Sequence, residues 1–486
     1  MKRSILAVGL LAAMSNVDAA EADVELYVDQ QTRQIFAEPG PDRTRLGAFR
    51  KVEDPAAPGQ ATAHIAAPSM AAGATAVRGA SPARGDLRPA EATVATSTAR
   101  VAAVKPPAGP WHERLQVRGY VQMRYNQVLS GNEAELATPG DRFLGANQSF
   151  GLRRVRLVIS GQVSERVFIY LQPDFGSTPS GSSTSNFGQL RDAYADISLD
   201  RAHEWRVRAG QSKVPYGFEN LQSSQNRLAP DRADALNAGV RDERDVGLFL
   251  YYSPKIAAQR FGELTKSGLK GSGDYGVLGL GVYNGQGANR PESNDRRHVV
   301  LHATWPFKLA SGQFVQVGAD AYAGQYRVGA PTSVKIDGAS FTPTVDAGAQ
   351  GSTDRRVAAH VIWYPQPFGL QAEWTVGEGP QLDVAQQRIR TRSLRGGYVQ
   401  AMVRRTGAYG VLTPYLKWQT YRGAAKFDTN APRMLVDELE AGVEWQPSNA
   451  LEIAVAYANM RRTNTRQAPY PRVRADVARV QLQWNF

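Results

Sequence analysis

The sequence predicts an all-β fold, a transmembrane antiparallel β-barrel of about sixteen strands with an N-terminal segment outside the barrel. Three observations predict it. The chain opens with an export signal. No later apolar run approaches the ~18 residues that a membrane-crossing helix needs. From Leu115 to the last residue, Phe486, polar and apolar residues alternate, the pattern of strands that separate water from lipid.

The elements follow in chain order. Residues 1–20 read as a signal peptide. Lys2 and Arg3 form its basic start and Ile5 to Met14 its apolar run, which is too short to span a bilayer; cleavage is expected after Ala19, Ala20 or Ala22. Residues 21–54 hold a hairpin-like stretch, Leu26 to Val28 and Gln34 to Phe36, expected in the periplasm. Residues 55–110 are rich in Ala, Pro, Gly and Thr and lack Phe, Tyr and Trp, so they cannot bury a core and read as a disordered linker. Residues 111–486 form the barrel.

Composition narrows the function classes. The chain has no Cys, which excludes a disulfide framework and thiolate-bound metals. A formal net charge of +12 would suit a nucleic-acid partner, but an exported protein rarely meets one. The same charge suits an anion channel.

Within the barrel region, Gln116, Arg118, Tyr120, Gln122, Arg124 and Asn126 share one face, and Val117, Gly119, Val121, Met123 and Tyr125 the other. At the far end Ala478, Val480, Leu482, Trp484 and Phe486 oppose Arg479, Gln481, Gln483 and Asn485. Between these ends, strands are predicted near 150–160, 165–173, 189–199, 204–212, 243–252, 274–284, 297–305, 313–323, 354–363, 369–377, 393–404, 411–422, 434–446 and 450–460. No blade-length repeat suggests a propeller. Trp305, Trp363, Tyr364, Trp374, Trp418, Tyr421, Trp445 and Trp484 lie near strand ends, where membrane barrels carry aromatic girdles.

The chemistry sits on the polar faces. Arg154 and Arg156 oppose Val155, Leu157 and Ile159; Arg206 and Arg208 oppose Trp205, Val207 and Ala209; Arg118 and Arg124 likewise oppose apolar residues. A charge facing lipid costs about 2–4 kcal/mol at the midplane, so these guanidinium groups are expected in the lumen. Successive inward residues lie roughly 6.6 Å apart, a spacing at which one donor set can hand an anion to the next. Arg153 breaks the alternation and marks either a headgroup-level side chain or a bulge. The competing reading pairs these Arg with lumen carboxylates such as Asp192 and Asp196. The stretch from Gly217 to Arg241 is too long for a periplasmic turn. It is expected either to fold inward as a constriction, offering Ser223, Ser224, Gln225, Asn226 and Arg227, or to form an ordinary extracellular loop. Among the six His, His298 and His302 share a face but stand roughly 13 Å apart along a strand, too far to share a metal. No nucleophile–base pair stands out, and neither enzyme activity nor a cofactor is expected.

Four segments resemble a known family: Gly151 to Gly161 (GLRRVRLVISG), Leu171 to Gly176 (LQPDFG), Arg191 to Tyr194 (RDAY) and Arg208 to Glu219 (RAGQSKVPYGFE). They are similar to the phosphate-selective porin O and P family, over about Leu115 to Phe486. The resemblance implies a trimer of sixteen-stranded barrels in a Gram-negative outer membrane, passing phosphate or polyphosphate along an Arg ladder. It also implies an inward loop carrying Lys and Ser; by position Lys213, Ser223, Ser224 and Arg227 fall in the matching segment. The expected partners are phosphate or other small anions, outer-membrane lipid and lipopolysaccharide, and two further copies of the chain. Two alternatives stand beside this reading. One is a general or carbohydrate porin, for which Tyr120, Tyr170 and Tyr194 would stack sugars. The other is a barrel anchor whose N-terminal segment binds peptidoglycan.

Overall fold

The computed structural model describes residues 24–29, 35–36, 39–41, 43–49, 110–131, 136, 150–177 and 187–486. The signal peptide and all of the linker except Pro110 lie outside the described residues. The chain divides into two units, Met1–Leu87 and Arg88–Phe486. In the first, Val24–Asp29 pairs antiparallel with both Ile35–Phe36 and Arg43–Phe49. The hairpin-like stretch thus gains a third strand.

The second unit is a closed antiparallel barrel of sixteen main strands. They are β1 (Leu115–Ser130), β2 (Phe150–Gln162), β3 (Val167–Ser177), β4 (Phe187–Ser198), β5 (Trp205–Lys213), β6 (Arg244–Tyr252), β7 (Leu278–Tyr283) and β8 (His298–Lys308). Then come β9 (Phe314–Tyr326), β10 (Ser352–Trp363), β11 (Phe368–Asp383), β12 (Arg388–Val403), β13 (Gly410–Ala424), β14 (Arg433–Ser448), β15 (Leu451–Thr463) and β16 (Arg472–Asn485). Each matches a segment expected from alternation. β16 pairs with β1 to close the cylinder, and Gly119 and Phe486 exchange two backbone hydrogen bonds at the seam.

Alternation forms these strands because each must offer one face to lipid. In β10 buried and exposed residues alternate without interruption. Val357 and Val361 point out, while Arg356, Ala358, His360 and Ile362 point in. Trp205, Trp363, Phe368, Trp445 and Trp484 lie exposed near one end of the barrel, as a girdle requires. Tyr364 and Tyr421 are fully buried instead and belong to the interior. The β1–β2 register passes from Gln122↔Arg154 to Met123↔Leu152 and skips Arg153, so the break in alternation is a β-bulge.

Short connections gather at the end where β1 begins and β16 finishes; long ones gather at the other. Two connections depart from this rule, the four-residue turn 384–387 between β11 and β12 at the long-loop end and a long segment at the short-turn end. Residues 253–277, at the short-turn end, contain helix α3 (Lys255–Lys266), where no element was expected before a strand at 274–284. Its buried residues Ala257, Phe261, Leu264 and Thr265 recur at helical spacing. Ala257, Phe261 and Leu264 pack with Phe314, Ile362 and Tyr364 of the barrel and with Phe218. β7 is short because the residues before it serve this inward packing: Arg206 Nη2 donates to the Asp274 carbonyl, and Lys270 reaches the β14 and β15 wall.

Candidate functional site

Inside the barrel the sequence-predicted Arg fall where alternation puts them. Arg124, Arg154, Arg156, Arg206 and Arg208 are buried on the inner face. Arg118 is half-buried, with its guanidinium 5.8 Å from the Tyr170 ring centre. The connection between β5 and β6, residues 214–243, runs among these inward side chains. It contains the short helices α1 (Phe218–Leu221) and α2 (Asp234–Asn237). Lys213, at the end of β5, donates to the carbonyls of Leu221 and Gln222 and fastens the loop at its root.

Contacts with distant strands fix the rest of the loop. Tyr216 and Thr375 of β11 share a hydroxyl bond of 2.5 Å. The backbone N–H groups of Phe218 and Glu219 donate to Glu373 of β11. Arg356 of β10 donates to the carbonyls of Ala235 and Ala238. Arg462 of β15 pairs with Asp234, and Arg479 of β16 and Arg124 of β1 both pair with Asp231. Ser224 bonds Tyr120 and accepts from Arg156, at 2.7 and 2.9 Å. Ser223 accepts weakly from the Gln225 backbone at 3.4 Å.

The Arg residues separate into two electrostatic groups. Most have acids. Arg156 pairs with Asp174 at 2.8 Å, Arg208 with Asp196 at 2.7 Å, and Arg206 with Asp274 at 3.1 Å. Arg244, at the start of β6, pairs with Asp192 and Glu243. Register makes some of these pairs: Arg156 stands opposite Asp174, and Arg208 opposite Asp196. Asp192 and Asp196 therefore do accept from lumen Arg, as the competing reading proposed. Outside the strands, burial alone would raise the Glu243 carboxyl, but Arg232, Arg191 and Arg244 hold it well below the usual range. Arg206 does the same for buried Asp274.

Arg154, Arg227 and Lys213 differ: none forms an ion pair among the described residues. Arg154 Nη1 donates to Gln122 at 2.6 Å, its cross-strand neighbour, and its Nε has no acceptor. Arg227 donates once, to the Pro230 carbonyl, leaving Nε and Nη1 buried without acceptors. Arg156 and Arg227 lie near enough to Arg154 to repel its charge. Two guanidinium groups thus keep spare donors in the interior, and planar donor sets of this kind suit a tetrahedral oxyanion. A narrow cleft lies further toward the short-turn end, between Gln222, Asn226 and Leu228 of the loop and the 268–270 stretch.

Several interior groups were not singled out from sequence: Asp231, Arg244, Asp320, Glu373 and Lys417. Arg479 was placed on a polar face, but its Asp231 partner lies in a loop whose path alternation does not reveal. The Tyr residues set aside for sugar stacking are inward, but their rings are occupied. Tyr170 and Tyr194 stack on each other at 5.1 Å, and Arg208 lies 3.8 Å from the Tyr194 ring centre.

A closed sixteen-stranded barrel with an aromatic girdle, a polar interior and a long connection running inside it defines an outer-membrane porin. The family described as phosphate-selective porin O and P matches residues 130–486, and the chain belongs to it. Among solved structures it is similar to the outer membrane channel DcaP of Acinetobacter baumannii, at 14% identity and TM-score 0.44, over 76% of this chain and 97% of that one. It is also similar to the trimer form of OmpT of Vibrio cholerae, at 9% identity and TM-score 0.44, over 76% and 99%. OmpF of Salmonella typhi in complex with daunomycin matches at 12% identity and TM-score 0.44, over 76% and 97%. No curated protein matches the chain.

Proposed function

We propose that this porin is an anion-selective diffusion channel that takes up phosphate or polyphosphate, constricted by residues 214–243. One observation carries the reading. Arg154 and Arg227 are buried, lack carboxylate partners and retain unsatisfied N–H groups. Buried cations without acids are costly, and an arriving anion relieves that cost. Lys213, Ser223 and Ser224 hold the loop beside them. Arg118, Arg124, Arg156, Arg206 and Arg208 supply the surrounding field, partly neutralised by their acids. Reversal potentials in asymmetric KCl test the reading: anion preference, with chloride current blocked by millimolar phosphate or less, is expected. Cation preference would overturn it.

A general porin is the second reading. It is favoured by the buried carboxylates Asp354 and Glu373 on β10 and β11, across the barrel from β1 and β2, and by Glu438 and Glu444 on β14. Such a field would pass ions of both signs with weak selectivity and no phosphate block. In either case we place the channel in a homotrimer in contact with lipid and lipopolysaccharide, with residues 21–110 in the periplasm, where they would reach peptidoglycan. Deleting residues 21–110 separates attachment from transport: envelope attachment should fall and conductance persist.

A further inference from the structure

We propose that the inner wall formed by β8 to β11 carries a divalent-cation site, built from His360, Asp320 and Glu373, which takes a borderline first-row metal such as Zn²⁺. These residues lie on three adjacent strands, and the site is separate from the Arg154–Arg227 group on the opposite side of the barrel. Register assembles it. His302 stands opposite Asp320 across β8 and β9, and His360 stands opposite Glu373 across β10 and β11. One ligand atom from each of His360, Asp320 and Glu373 falls within 4.8 Å of the others. Zinc ligands in a tetrahedral shell lie roughly 3.3 Å apart, so a small closure of side chains completes the set.

Three features point to a cation. First, His360 is 3% exposed, and its Nδ1 has no hydrogen-bond partner while facing Asp320 Oδ2 at 3.8 Å. Its other nitrogen, Nε2, is already engaged by the Thr304 hydroxyl at 3.2 Å, which leaves Nδ1 for the metal. Second, Asp320 and Glu373 are both buried, and among the described residues no Lys or Arg pairs with either. Among the described residues the only side chains near Asp320 that could carry the opposite charge are His rings, His302 bonding Oδ1 and His360 facing Oδ2, and Glu373 has no ion-pair partner. Two carboxylates taken out of water need more compensation than that. Third, backbone N–H groups hold both acids in place, Gly217 donating to Asp320 Oδ2 at 2.9 Å and Phe218 to Glu373 Oε1 at 2.7 Å. Each carboxylate oxygen keeps a second lone pair for a metal. Gly318 makes room for the ring: a Cβ there would come within 2.6 Å of His360.

One imidazole and two carboxylates suit Zn²⁺ or a neighbouring first-row ion better than Mg²⁺ or Ca²⁺, which prefer all-oxygen shells. The bound ion would tie the first turn of the 214–243 loop to the far wall. The test uses the full-length porin in detergent, stripped with chelator, dialysed against Zn²⁺ and assayed for metal per chain. One Zn²⁺ per chain is expected. His360→Gln and Glu373→Gln should each weaken binding by about 100-fold or more, since even groups one bond further out cost 10–100-fold. His112→Gln, at an exposed position, should bind as the wild type does. Because a variant could fold poorly, the wild type alone gives a second readout: saturating Zn²⁺ should raise its unfolding temperature. Absence of retained zinc and of that shift would overturn the site, and so would equal binding by folded His360→Gln. A wild type whose two acids only share a proton would show neither signal.

Discussion

A guanidinium buried beside a carboxylate and one buried without an acid respond differently to an arriving anion. Arg206 and Arg208 answer to Asp274 and Asp196, so a solute must compete with an acid already in place. Arg154 and Arg227 have no such acid. Hydrogen bonds to charged groups contribute about 1.5–3 kcal/mol, so Arg154→Ala and Arg227→Ala should each weaken phosphate block by roughly tenfold or more. Arg208→Ala leaves Asp196 with the longer Arg206 contact at 3.6 Å and should mainly lower stability, by less than the roughly 3–5 kcal/mol of a fully broken buried pair. Leu157→Ala, on the lipid face, should leave block nearly unchanged. Titrating chloride current with phosphate in these variants checks the order; equal block in all of them would sink the distinction. Alternation placed Arg154, Arg206 and Arg208 on the inner face, but it carries no information about who sits across the strand, and it does not reach Arg227 in the loop. The Arg208–Asp196 pair depends on register, and strand ends read from sequence do not fix register to one residue. Lys426, in the loop after β13, offers a pH test. Burial pulls its ammonium down to about 8, against the pull of Asp354. The unfolded chain keeps that proton up to about 10.5, so it binds more protons than the folded chain between these values. This group's contribution to stability therefore rises with pH from about 8 to 10.5. Unfolding temperatures of the wild type should climb relative to Lys426→Met over that window, and a constant difference would refute the shift.

At the scale of elements, two inward segments meet inside the barrel. Residues 214–243 come from the long-loop end and residues 253–277 from the short-turn end. They touch where Gln222 donates to the Lys270 carbonyl at 2.6 Å and where Phe218 packs with α3. Lys270 also reaches across to Glu444 and Glu452, which hold the second segment to the β14–β15 wall. Those two acids raise the ammonium above its ordinary value, more than offsetting burial. Lys270→Ala would leave both acids without this cation and free the segment. Single-channel conductance should rise and the reversal potential move toward cations, with the barrel's circular dichroism unchanged. Unaltered conductance would mean that 253–277 does not narrow the path. The strands were legible because lipid enforces period two along their length, as in β10. α3 is also legible in principle, since Ala257, Phe261 and Leu264 repeat at helical spacing. The proposed metal site was hidden for another reason. His298 and His302 were measured along one strand, whereas His302, Asp320, His360 and Glu373 come together across four.

For the whole molecule, closure depends on the seam between the first and last strands. β1 and β16 pair along ten positions that run from Asp476↔Ser130 to Asn485↔Tyr120. Beyond them, Gly119 N–H donates to the Phe486 carbonyl at 2.7 Å and Phe486 N–H to the Gly119 carbonyl at 3.0 Å. A barrel left open here would present two unpaired edges to lipid, where each unsatisfied backbone group costs several kcal/mol. Gly119 permits the close approach. A Cβ at that position would lie 2.6 Å from the Phe486 ring and 2.4 Å from the Arg156 carbonyl. Gly119→Val should therefore lower the unfolding temperature of the purified porin and the fraction that migrates as folded barrel without heating. The two clashes can be told apart. Phe486→Ala removes the ring but not the Arg156 carbonyl, so in the Gly119→Val background it should restore only part of the loss. Full restoration would place the constraint in the aromatic ring alone, and no restoration would place it in the β1–β2 backbone. The second outcome would also mean that the terminal side chain contributes little to closure beyond its two main-chain bonds.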